Sequence, residues 1–178
     1  MSESGEPEAA GGGPTRLRLD IAYDGGAFFG WGAQPALRTV QGELEAALAT
    51  VFQRHGTPPR LTVAGRTDAG VHATGQVAHL DLSDAQLASL GERRGQSGAE
   101  SLARRLNGIA GLSSDVVVLA SRLAPPGFDA RFSAVWRRYE YRVGDASIPR
   151  NPLLRGHVLS YPAMLDAGAA DADEVPVP

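Results

Sequence analysis

Polar and apolar side chains alternate from Arg16 to Tyr23, the two-residue period of a strand with one wet and one buried face. Asp24-Gly25-Gly26 stops it. From Thr39 the period lengthens: Val40, Leu44, Ala47, Leu48 and Val51 recur at helical spacing. Thr39 offers an N-cap, and Glu43 and Glu45 place acid in the first turns, where the helix dipole favours it. Leu61-Thr62-Val63-Ala64 predicts a short strand, Gly65 to Ala73 a polar loop, and Gln76 to Leu82 an alternating strand with Ala78, Leu80 and Leu82 on one face. A weakly helical stretch covers Asp84–Leu90, and 91–98 is a loop. Ala99 to Leu106 is helical, and Asn107-Gly108 ends it. Asp115 to Leu123, with Val116, Val117 and Val118 in a row, reads as a buried strand.

The order strand, helix, strand, strand, helix, strand is the split βαβ plan. It predicts an α+β, ferredoxin-like (RRM-like) fold, an antiparallel sheet with helices on one face. RNA-recognition domains share that plan with many unrelated proteins. After Pro125-Pro126-Gly127, the stretch Arg137 to Val143 alternates and predicts an added strand. Residues 1–14 lack periodicity and read as a disordered leader, and 163–178 as a disordered acidic tail. Between them lie a domain over 15–145 and a short further segment over 146–162.

Composition narrows the chemistry. There is no cysteine, which excludes disulfides and cysteine metal sites and suits the cytoplasm. No apolar run approaches a membrane span, so no membrane partner is expected. The net charge of −3 is unevenly spread. Residues 1–15 hold three acids, 162–178 hold four, and neither stretch has a base. Residues 16–161 therefore carry 17 bases against 13 acids, and every base is arginine. Arginine forks onto phosphate well, but coding bias explains an all-arginine usage first, so charge supports RNA binding weakly.

The informative loop is Ala64-Gly65-Arg66-Thr67-Asp68-Ala69-Gly70-Val71-His72-Ala73. Gly65 and Gly70 permit sharp turns and close approach to a ligand. An Arg66 guanidinium in contact with Asp68 would hold that carboxylate ionised. An ionised carboxylate at a loop tip is able to attack an anomeric carbon or act as general base. Equally, Asp68 closes an Asx-turn and Arg66 is solvated. His72 and His79 make no zinc spacing, so no metal is expected.

The run Gly65 to Ala73 resembles the signature of the tRNA pseudouridine synthase A family. Tyr23-Asp24-Gly25 with Phe29-Gly30-Trp31 and Gln34 resembles that family's first strand and loop, and Thr39 to Glu45 the start of its first helix. Phe128 to Ala134, with Arg137-Arg138-Tyr139 and Tyr141, resembles its post-domain strand. The match runs from about Arg16 to about Tyr161, in four ordered motifs.

The resemblance implies isomerisation of uridine to pseudouridine in the anticodon stem-loop of tRNA, without cofactor or metal. It makes Asp68 the nucleophile or base, Tyr139 the side chain packing on the target base, and Arg66 the group that displaces that base. Arg131, Arg137, Arg138 and His72 are weaker candidates for RNA contacts. Trp31 is expected to anchor the loop under the site. The family carries a second pseudo-symmetric domain that this sequence does not supply. That predicts reduced activity, an open sheet edge, and a homodimer or poor solubility. Two other readings stay open: a non-catalytic RNA-binding module or inactive relict, and a carboxylate enzyme acting on a small nucleoside.

Overall fold

A computed structural model describes residues 13–92, 95 and 97–166. The leader up to residue 12, three positions of the 91–98 loop and the tail from 167 lie outside the described residues. The chain divides into two compact units, Met1–Val135 and Trp136–Pro178.

In the first unit β1 (Thr15–Tyr23), β2 (Thr62–Val63), β3 (Ala73–Leu82) and β4 (Val116–Leu123) form one antiparallel sheet. Its order, β2-β3-β1-β4, is that of the split βαβ plan. The register sets Leu17 opposite Leu80 and Leu123, and Leu19 opposite Ala78 and Ser121. Alternation therefore sends Leu17, Leu19, Ile21 and Tyr23 into one core with Ala78, Leu80, Leu82, Val116 and Val118.

Helices α1 (Val40–Val51) and α3 (Gly98–Ala110) bury Leu44, Leu48, Leu102 and Leu106 in that core. Each such side chain contributes about 1.5–3 kcal/mol. Thr39 caps α1 by accepting from the Gly42 amide, as its position implied. Short α2 (Asp84–Leu90) and α3 both open with capping boxes, from Ser83 with Gln86 and Ser97 with Glu100.

Three expectations need correction. First, α3 does not end at Asn107. The Asn107 side chain donates to Val118 O and accepts from Val118 N, both at 2.8 Å, so it is satisfied within the helix. The helix runs on to Gly111, whose φ of 82° ends it. Second, β4 is an edge strand with an alternating pattern, and Val117 and Leu119 are exposed. Three consecutive valines imitate a doubly buried strand, but helices cover one face only. Third, the expected added strand shrinks to β5 (Val143–Gly144). It pairs in parallel with β6 (Leu159–Ser160), a two-stranded ribbon within the second unit. Alternation alone does not make a strand; the backbone of 137–142 also needs a neighbouring ladder.

The second sheet face carries charge. Arg16 pairs with Asp81, and Asp20 with Arg18 and Arg122. Residues 128–130 strap part of this face. Phe128 O accepts from Arg16, and the Ala130 amide donates to Nδ1 of buried His79 at 2.9 Å.

Candidate active site

The loop over residues 64–72 leaves β2 and enters β3, so two strands of a rigid sheet hold its ends. Ala64 N donates to Val77 O at 2.8 Å, and Gly65 O accepts from the Gln76 side chain at 2.8 Å. A register irregularity between Ile21 and Tyr23 gives β3 two residues against Ala22 alone at this end. Such a bulge re-aims the chain where the loop passes into β3.

The loop following β1 pins the middle. Trp31 N donates to Thr67 O at 2.9 Å, and Gly70 N donates to Phe28 O at 3.2 Å. The Tyr23 hydroxyl lies 2.8 Å from Thr67 Oγ1. Two glycines make this approach feasible. A Cβ on Gly25 would sit 2.0 Å from Val71 O, and one on Gly30 would sit 2.8 Å from Thr67 O. Gly30 also has φ 85°, which a side chain rarely adopts.

Within the loop, Gly70 takes the left-handed backbone at φ 79°, whereas Gly65 does not. The chain bends at both glycines, but only Gly70 does so with a left-handed backbone. Val71 N returns to Asp68 O at 3.3 Å, closing a turn. Asp68 is exposed and opens this turn, with Ala69 and Gly70 at its corner. Among the described residues no ion pair joins Arg66 to Asp68; the Arg66 side chain instead runs alongside Gly32. The electrostatic support expected from sequence adjacency is not made in the free chain.

His72 lies between the two loops. Its Nδ1 accepts from Gly25 N at 3.1 Å and sits 2.9 Å from Asp24 Oδ1. Trp31 is fully buried beneath the loop, with its ring 6.0 Å from that of Tyr23, as an anchor should be. Arg131 is exposed, with its guanidinium 5.5 Å from the Phe132 ring. Arg137, Arg138 and Tyr139 belong to the second unit and are exposed there. The structure thus gathers Asp68, Arg66 and His72 in one loop, and places Tyr139 on the other unit.

Charge also stabilises the rim. Arg38 bridges Asp115 and Glu43 and lies 4.3 Å from the centre of the Phe28 ring. The hydrogen bond that Arg38 donates to Asp115, with further support from Glu43, raises the guanidinium above its usual pKa. Among the described residues no group of three or more His, Asp or Glu side chains is arranged to hold a metal ion.

Sequence reading missed Tyr23, Thr67 and Gln76 as the supports of the loop. The available signal was Gln76, a polar residue two positions before Ala78 on the apolar side of its strand.

No family model matches the chain. Individual proteins do. A tRNA pseudouridine synthase A from Leifsonia xyli is 59% identical over 161 residues, covering 88% of this chain and 56% of that protein. One from Bifidobacterium longum is 53% identical over 156 residues, 85% of this chain and 51% of that protein. One from Streptomyces griseus is 52% identical over 169 residues, 95% of this chain and 54% of that protein. The chain spans about half the length of these relatives.

Proposed function

Because this chain belongs to the tRNA pseudouridine synthase A family, we propose that it isomerises uridine to pseudouridine in the anticodon stem-loop of tRNA, with Asp68 as nucleophile or base. The observation that carries this reading is the placement of Asp68. Asp68 is exposed at the start of a tight turn, in a loop whose backbone is held by β3 and by the loop after β1. An exposed group on a rigid support is able to meet a substrate without first reorganising.

The chemistry requires the base to leave its ribose at nitrogen and return through carbon. A base within a stem has to be extruded before its glycosidic bond is reachable. Arg66, resting against Gly32 and free of any pairing with Asp68, is available to take the vacated place in the stack. Tyr139 supplies an exposed ring on which the extruded base stacks, worth about 1–3 kcal/mol. Arg131, Arg137 and Arg138 contact the phosphate backbone, and His72 approaches the RNA from the same loop as Asp68. No cofactor takes part. The protein works in the cytoplasm and as a homodimer. No helix among the described residues is long and apolar enough to cross a membrane.

The test is conversion of uridine in an unmodified anticodon stem-loop RNA, followed with wild type and Asp68→Asn. Pseudouridine formation by wild type, lost in Asp68→Asn with RNA affinity kept, supports the reading. Equal conversion by both removes Asp68 from the chemistry. RNA binding without conversion by wild type indicates a binding module.

A further inference from the structure

A short row of side chains beneath the Asp68 loop has a direction that hydrogen-bond accounting and burial together set. The Gln76 Nε2 amide lies 2.8 Å from Gly65 O and 3.3 Å from the Tyr23 hydroxyl. A backbone carbonyl only accepts, so the group facing Gly65 is the amide nitrogen. Its partner Oε1 accepts from Val77 N at 3.1 Å, which agrees. The second Nε2 hydrogen then points to Tyr23, whose oxygen accepts it. Tyr23 is buried and Thr67 only half-buried, so the hydrogen without a protein acceptor falls to Thr67, and Tyr23 donates to Thr67 Oγ1, 2.8 Å away. Thr67 accepts, and its own hydroxyl hydrogen has no acceptor among the described residues. The row runs one way, from Gln76 through Tyr23 to Thr67, and ends on the residue that precedes Asp68 in the chain.

The supports of this row are firm. Tyr23 is buried in the core at the end of β1, and Gln76 is part of β3. The Thr67 backbone is held separately by Trp31 N and by the close approach of Gly30. Side chain and backbone of Thr67 are thus tied to two strands and a loop, and Asp68 follows it directly.

We propose that Gln76, Tyr23 and Thr67 are positioning residues for Asp68, acting as a one-way hydrogen-bond chain that sets the loop before substrate arrives. The inference rests on Asp68 being the reacting carboxylate. Removing one link loosens the loop without removing any group that reacts. The expected effect is that of one partly buried hydrogen bond, about fivefold.

Tyr23→Phe, Thr67→Val and Thr67→Ser are compared with wild type by amide hydrogen exchange across residues 67–71 and by single-turnover conversion of the anticodon stem-loop RNA. Tyr23→Phe and Thr67→Val raise exchange at Asp68–Gly70 about fivefold and lower the saturating single-turnover rate about as much, with the half-saturating concentration unchanged. Thr67→Ser, which keeps the hydroxyl, behaves as wild type. Loop amides as protected in Tyr23→Phe as in wild type overturn the inference. So does a Thr67→Ser variant as impaired as Thr67→Val. Should wild type convert no uridine, the reading of Asp68 as the reacting group fails, and the exchange data alone still decide whether the chain sets the loop.

Discussion

Gly30 and Gly56 share a φ of 85° but differ in what surrounds them. Around Gly56 there is open space, whereas a side chain on Gly30 meets the Thr67 carbonyl and the Asp68 backbone. Gly56→Ala therefore adds left-handed strain alone, about 1–2 kcal/mol. Gly30→Ala adds that strain plus a collision with backbone that the Trp31 amide already holds. We expect it to cost about 2–4 kcal/mol, read from urea midpoints at equal m-value. Equal losses at the two positions would mean that the loops do not press on one another. The Gly-Arg-Thr-Asp run was legible in the sequence as a polar loop between two strands. Its dependence on Gly25 and Gly30, some 40 residues away, was not, because that contact exists only after β1 and β3 have paired.

The strap over residues 128–130 illustrates the element scale. Its Ala130 amide needs an unprotonated His79 Nδ1. Burial, and then the Arg16 charge, lower the His79 pKa below the usual 6.5, while Asp129 and Asp81 pull the other way. The unfolded chain thus takes up a proton near pH 6.5 that the folded chain resists. Stability is complete above that pH and falls as the pH drops through it. The Arg16 hydrogen bond lowers the Asp81 carboxyl below 3.8, so loss of that contribution comes only in stronger acid. The melting temperature should therefore fall between about pH 7.5 and about pH 5.5, and fall less in His79→Gln. Parallel pH curves for the two proteins would remove His79 as the cause. In the sequence His79 was weighed only as a metal ligand; its role came from a segment that folds back over the sheet from 50 residues downstream.

At the scale of the molecule, β4 is an edge strand with Val117 and Leu119 exposed. Unpaired backbone and apolar side chains along one edge favour pairing with a second copy. We expect the weight-average mass in sedimentation to rise with concentration, and Leu119→Lys to suppress that rise. A wild-type monomer across the concentration range would argue against the homodimer. The buried reading of β4 failed for a reason that belongs to this scale. The valine run reports apolar side chains, but the number of covered faces depends on where the helices lie.

Local signals alone determined the fold class, the helix start at Thr39, the alternating strands and the polar loop between the second and third strands, since periodicity, caps and turn residues act between near neighbours. The family could also be recognised from ordered motifs. Folding decided the rest: which glycines touch the loop, that Arg66 rests on Gly32 and not on Asp68, and that Gln76 reaches Tyr23 and Tyr23 reaches Thr67. Those are contacts between residues far apart in the chain. Their distances are set by strand register and by a bulge, and neither is written in any single stretch of residues.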